Sequence, residues 1–90
     1  MKNKCLVKDE LVIIKMAENE PIWAGYFLGW IKKNERTNFP LVRSVFDGSD
    51  REIISGVIIP YSSEIEIMLN TLTFQKQWEL LLKFGATVCL

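Results

Sequence analysis

The sequence predicts an α+β domain, with a small antiparallel sheet of four to five strands and two short C-terminal helices packed on it. Residues 21–31 (PIWAGYFLGWI) form an uncharged, aromatic-rich run that is apolar on both faces of a strand. The pair Asp47-Gly48 separates two β-rich runs, which is a strong hairpin signal. After Ser62 the apolar residues recur at helical spacing.

The composition favours a single domain with apolar surface to spare. Ninety residues are the length of one domain, and an apolar share of 49% is at the upper edge for a soluble chain. Basic and acidic residues balance at 11 each, which argues against a dedicated polyanion binder. Residues 32–43 nevertheless carry four cations and one anion, whereas residues 47–66 carry five anions and one cation.

The cysteines and the N-terminal residues indicate a cytoplasmic protein with reduced thiols. Cys5 and Cys89 lie near the two ends, and two cysteines without a signal peptide do not define a disulfide framework. Asp9 and Glu10 interrupt any apolar segment of the kind that a signal peptide needs. Residues 21–31 are shorter than the roughly 20 residues that cross a bilayer, so no membrane association is expected.

The first two strands are predicted from their apolar runs. Residues 11–16 (LVIIKM) form a β-branched first strand. Residues 21–31 form the central strand, in which Gly25 and Gly29 permit a bend or a close backbone approach. A buried helix is the alternative for this run, since periodicity alone does not separate the two.

The alternation of strand side chains predicts which residues of this run share a face. Tyr26 and Trp30 fall on one face, and Trp23 and Phe27 fall on the other. Both faces are apolar, as in a strand that is covered on both sides. Whether Tyr26 and Trp30 are core or surface is left open by the pattern.

The middle of the chain predicts a loop and then a hairpin. Residues 32–39 lack a periodic apolar pattern and are predicted to form an exposed loop, closed by Pro40. Residues 41–46 and 52–59 are predicted to pair through the Asp-Gly turn, because glycine takes the positive φ that such a turn needs. Pro60 ends the second strand.

The C-terminal third predicts two helices and a last strand. Ser63 and Glu66 fit a capping box at the start of the first helix. Thr73 is expected to cap a second helix over residues 73–84, with Gly85 as its stop. Residues 86–90 (ATVCL) return as a short edge strand. This order resembles a small SH3-like, partly open barrel, a likeness of architecture alone.

The chain lacks the residues that most catalytic and metal sites use. The chain has no histidine, which removes the commonest general base and metal ligand. Asp47, Asp50 and Glu52 are close in sequence, but their spacing lacks the alternating ligands of a calcium loop, so a solvated turn is favoured over a cation site. We therefore expect no enzyme, no cofactor and no metal.

Aromatic and basic residues around the predicted loop form the candidate binding site. Aromatic faces and cations on a small barrel can stack bases and hold phosphates. The competing interpretation is that the larger aromatic residues belong to the core. The candidate binding residues are Tyr26, Trp30, Lys32, Lys33, Arg36, Phe39, Arg43 and Tyr61.

The function favoured by these features is that of a small non-catalytic binding module, a regulator or inhibitor that acts by contact with another protein. Such traits also suit proteins encoded by phages or other mobile elements, including those directed against host defence. One alternative is a nucleic-acid-binding barrel that uses the basic loop at residues 32–43. Another is a pocket for a nucleotide-like small molecule lined by Trp23, Tyr26, Trp30 and Tyr61.

A homodimer is also expected from the sequence. Residues 53–59 carry apolar side chains on both faces, and two short helices are not expected to cover them all. The predicted strand at residues 86–90 adds an uncharged edge, and such edges invite pairing with a second copy.

Overall fold

The computed structural model describes residues 6–32, 38–84 and 86–87 of the chain. The elements are, in order, β1 (Leu11–Lys15), β2 (Trp23–Lys32), β3 (Asn38–Ser44), β4 (Asp50–Glu52), β5 (Val57–Pro60), α1 (Ser63–Leu69), α2 (Phe74–Phe84) and β6 (Ala86–Thr87). The strands form one antiparallel sheet in the order β4-β3-β2-β1-β5-β6, which is not closed. The predicted α+β fold with two C-terminal helices is confirmed.

β2 is the long central strand that the sequence predicts. It pairs with β1 on one side and with β3 on the other. Gly25 is needed where β2 and β3 approach closely, because a Cβ there would lie 2.6 Å from the carbonyl oxygen of Arg43. The strand runs over Trp23–Lys32, so the helix alternative for residues 21–31 is wrong.

A β-bulge at Leu28 changes the predicted faces of β2. Phe27 lies opposite Val42, but Gly29 lies opposite Leu41 and Trp30 opposite Pro40, so Leu28 is the extra residue. Gly29 accommodates the irregularity with a φ of +134°. Because the bulge shifts the alternation by one residue, Trp30 shares a face with Phe27 and the prediction that it shares one with Tyr26 is wrong.

The Asp-Gly turn forms, but the strand predicted over residues 52–59 is interrupted between β4 and β5. β3 and β4 pair across the turn, and β4 ends at Glu52. The next residue, Ile53, is buried and donates its N–H to the Pro40 carbonyl (2.9 Å). The chain then turns at Gly56, with φ +112°, and β5 pairs with β1 instead.

The predicted loop at residues 32–39 is shorter than expected. β2 extends to Lys32 and β3 begins at Asn38, and these two residues face each other in the ladder. Residues 33–37 lie outside the described part. Pairing continues to this end of the sheet because ladder hydrogen bonds do not require an apolar pattern.

The sheet separates two hydrophobic cores. We call the side that packs against α1 and α2 the helix face; its core joins strand residues to Leu69 of α1 and Leu81 of α2. The opposite face has its own core, covered by Ile53 and, in part, by Leu6 and Met16. The buried residues of the helix-face core are Ile13, Val57, Ile59, Leu69 and Leu81, and those of the opposite core are Val12, Ile14, Phe27, Val42, Ile53 and Ile58.

Side-chain caps fix where the helices begin. The Ser62 hydroxyl accepts the Ile65 N–H (3.4 Å), so the cap of α1 lies one residue before the predicted Ser63. Thr73 caps α2 as predicted, since its hydroxyl accepts the Lys76 N–H (3.2 Å). Neither helix is long and apolar enough to span a bilayer.

The last predicted strand is present where it is described. Ala86 and Thr87 pair with β5 at the edge of the sheet. The predicted helix stop at Gly85, the remainder of the strand at residues 88–90, and both cysteines, Cys5 and Cys89, lie outside the described residues.

Candidate binding surface

Three of the predicted binding residues lie in one row on the helix face. Tyr26 lies opposite Leu11 on β1 and opposite Arg43 on β3. The N–H of Tyr61 donates to the Leu11 carbonyl (3.0 Å), which adds Tyr61 to the row. Tyr26 is 45% exposed, so it belongs to the surface and not to the core.

Arg43 is engaged with a carboxylate of the same chain. Its Nε donates to Asp50 Oδ1 (2.8 Å) and its Nη2 to Asp50 Oδ2 (3.3 Å), an exposed two-point pair. The hydrogen bond and charge of Asp50 raise the pKa of Arg43, and those of Arg43 lower the pKa of Asp50. The predicted phosphate-binding role of Arg43 therefore competes with a neighbour that already neutralises it.

Tyr61 joins the helix-face core and not an open pocket. Its side chain packs against that core, and its hydroxyl donates to Glu66 Oε1 (2.6 Å). This hydrogen bond, with desolvation, raises the pKa of the Tyr61 phenol. Tyr61 thus anchors the start of α1 to the sheet.

The remaining predicted residues do not converge. Trp30 is 54% exposed on the opposite face, where its ring meets Phe27 edge to face at 5.7 Å between centroids. Lys32 is exposed at the end of β2, and Phe39 is half-buried opposite Ile31. The two other predicted cations, Lys33 and Arg36, lie outside the described residues.

The sequence reasoning missed the most exposed aromatic residue among those described. Phe46 is 82% exposed and lies in the turn between β3 and β4. That turn is held by hydrogen bonds, from Phe46 N to Ser44 Oγ (3.1 Å) and from Gly48 N to the Ser44 carbonyl (3.0 Å). Ser49 N adds a bond to Asp47 Oδ1 (3.0 Å). A structured turn therefore presents Phe46 to solvent.

Two clefts flank Phe46 and Trp23, which line both. The first has a volume of about 240 Å³, and we call it the helix-side cleft because α1 forms one wall. The second has a volume of about 230 Å³, and we call it the loop-side cleft because the loop after β1 forms one wall. The helix-side cleft is lined by Ile13, Ile22, Trp23, Ala24, Val45, Phe46, Glu66 and Asn70. The loop-side cleft is lined by Met16, Glu20, Pro21, Trp23, Ser44, Phe46, Asp47 and Arg51.

Trp23 on β2 is in contact with a cation from β4, two strands away in the sheet. The Arg51 guanidinium lies over its ring, 5.7 Å from the centroid. Arg51 also lies 3.9 Å from Asp47, whose pKa is lowered chiefly by the hydrogen bonds from Ser49. The Asp47 carboxylate is consequently ionised at neutral pH.

The predicted small-molecule pocket does not form as a unit. Of its four predicted residues, Trp23 lines the two clefts, whereas Tyr26, Trp30 and Tyr61 line neither. In the part of the chain that is described, no group of three or more Asp, Glu or Cys residues is placed to hold a metal ion.

One sequence feature pointed to the surface around Phe46. Val45 and Phe46 immediately precede the Asp-Gly turn, where polar residues are the usual choice. Large apolar side chains at a turn find little interior to enter. Their exposure therefore follows once the turn itself is recognised.

Comparison of the chain with protein families, with curated proteins and with solved structures found no match.

Proposed function

We propose that this protein is a non-catalytic binding module that regulates or inhibits another protein through the surface formed by Trp23, Val45, Phe46 and the two clefts. The observation that carries the proposal is the exposure of Phe46 on an ordered turn. Exposed aromatic residues beside pockets are the usual anchors of protein interfaces. Burial of such a side chain by a partner contributes about 1.5–3 kcal/mol.

The order of the turn favours binding by a preformed surface. Backbone and side-chain hydrogen bonds fix residues 44–49 before any partner arrives, which lowers the entropy lost on association. Each cleft is smaller than the roughly 300–1,000 Å³ typical of small-molecule sites. Their size suits a single inserted side chain better than a nucleotide-like ligand.

The nucleic-acid alternative loses support at Arg43, which is paired with Asp50. It retains the basic residues Lys32, Lys33 and Arg36. Its test is the salt dependence of binding, because phosphate contacts make affinity fall steeply with salt and an apolar interface responds weakly.

Further parts of the proposal concern assembly and location. A homodimer and a cytoplasmic location remain predictions, as does the absence of catalysis, which is supported by the lack of histidine. Of the two grounds for a dimer, the apolar faces of residues 53–59 give less support, since Ile53, Val57, Ile58 and Ile59 are buried within one copy; the edge strand at Ala86–Thr87 is the other ground.

The proposed function is tested by capture from native host extract with three forms of the chain. The Phe46→Glu variant places a charge at the proposed anchor, and Ile54→Glu is the matched control, because Ile54 is exposed and lines neither cleft. We expect a protein that is retained by the wild type and by Ile54→Glu and lost by Phe46→Glu. Retention by all three would remove this surface from the site.

A further inference from the structure

We propose that the partner contributes a segment with an apolar side chain that enters the helix-side cleft and a neighbouring lysine or arginine that pairs with Glu66. This inference rests on the proposed function and adds the chemistry of the partner. It identifies the partner as a protein with an exposed apolar–basic segment.

The helix-side cleft offers an apolar floor and an aromatic wall. Ile13 and Ala24 lie on the helix face of the sheet, and Val45 and Phe46 close the cleft from the turn. A cleft of about 240 Å³ has room for one large side chain and not for a folded element. The occupant is therefore an extended segment or a protruding side chain.

The charge of Glu66 indicates which kind of partner residue lies next to that apolar side chain. Glu66 is the one charged residue among those that line the helix-side cleft. One of its oxygens accepts the Tyr61 hydroxyl, which fixes the carboxylate, and a carboxylate has capacity for further donors. A positioned, half-buried acceptor of this kind favours an ammonium or guanidinium group.

The loop-side cleft also favours a basic group on the partner. Glu20 and Asp47 line it together with a single cation, Arg51. The Arg51 guanidinium is already engaged by the Trp23 ring and by Asp47. Across both clefts three acidic residues thus face one basic residue, so an acidic segment would meet repulsion.

The test uses a displayed library of random short peptides, panned on the wild-type protein alone, after which the affinity of the enriched peptides is measured for the wild type and for Phe46→Ala. We expect the enriched peptides to share a large apolar residue next to lysine or arginine. Phe46→Ala should weaken their binding about tenfold or more, and Ile54→Ala should not. Both side chains are exposed, so circular dichroism should show that both variants remain folded.

The charge is tested separately with Glu66→Gln, which keeps an acceptor for Tyr61 and removes the charge. Affinity for the enriched peptides should fall roughly threefold to tenfold at low salt, whereas Glu64→Gln on the exposed part of α1 should change nothing.

Two outcomes separate this inference from the proposed function. Enriched peptides without basic residues that still require Phe46 would overturn the apolar–basic partner and leave a protein-binding surface. Peptides indifferent to Phe46→Ala would overturn both. The absence of any enriched peptide would overturn the apolar–basic segment alone, because the capture experiment with host extract tests the function independently.

Discussion

Lys15 Nζ lies 3.2 Å from Gln77 Oε1, in a buried contact that joins β1 to α2. The same ammonium donates to the carbonyl of Glu20 and lies 4.5 Å from the centroid of the Phe74 ring. Gln77 in turn donates Nε2 to the Leu69 carbonyl (2.9 Å). One polar network therefore holds the sheet, both helices and the loop that forms a wall of the loop-side cleft.

The buried Lys15 ammonium in this network predicts that the free energy of unfolding rises with pH in the alkaline range. Lys15 is 0% exposed, and burial lowers the pKa of its ammonium below the ordinary 10.5, although Glu18 and Glu20 act in the opposite direction. Between the lowered pKa and 10.5 the unfolded chain binds more protons than the folded one, so the free energy of unfolding rises with pH. Below the lowered pKa, burial of the charged Lys15 ammonium destabilises the folded state by its full amount.

The measurement is urea denaturation of the wild type and Lys15→Met across the alkaline range. The wild type should gain stability relative to Lys15→Met as the pH rises toward 10.5. Tyr61, whose pKa is raised, contributes the opposite slope to both proteins and cancels in the difference. Lys76→Met, at an exposed position on α2, should run parallel to the wild type. If the free energy of unfolding of Lys15→Met also runs parallel to that of the wild type across this range, the lowered pKa of Lys15 is contradicted.

Leu81→Ala should destabilise the protein by about 2–5 kcal/mol, the usual cost of truncating a buried leucine. Leu81 is fully buried in the helix-face core, whereas Trp78, also on α2, is half-buried against it. Ile67→Ala, at a position that is mostly exposed on α1, is the control and should cost far less. Equal denaturation midpoints for the two variants would show that α2 does not cover the core.

Gly56→Ala should destabilise the fold far more than Gly48→Ala. Both glycines have positive φ, so both substitutions introduce backbone strain. A Cβ at Gly56 would also overlap the Lys15 carbonyl and lie 2.6 Å from Met16 Cα, whereas a Cβ at Gly48 would meet nothing within 4 Å. Thermal denaturation should show a small loss for Gly48→Ala, and a similar loss for Gly56→Ala would contradict the tight turn.

The parts of the fold that the sequence predicts are those encoded locally. The apolar run around Phe27, the Asp47-Gly48 turn and the cap at Thr73 each specify their own conformation through side-chain pattern, positive φ or a hydroxyl. None of them depends on a distant partner. These elements appear where they were expected.

The errors have non-local causes. The bulge at Leu28 reverses the side on which Trp30 lies, and it arises from how β2 and β3 register. The chain leaves β4 after Glu52 because β5 finds its partner in β1, a choice that the pattern of residues 52–59 does not contain. Phe46 became a candidate only when the clefts beside it were visible.

Self-association should occur through the C-terminal helix and not through the edge at β4. The three residues of β4 are exposed and charged, which discourages edge pairing. Leu82 and Phe84 on α2 are exposed apolar residues that line neither cleft, so a second copy can cover them without blocking Phe46. Sedimentation at micromolar concentration should show a species of twice the 10.4 kDa chain mass. Leu82→Lys should shift it to the monomer, and Ile54→Lys should not. A monomer at every concentration would mean that the exposed apolar residues of α2 serve a different protein.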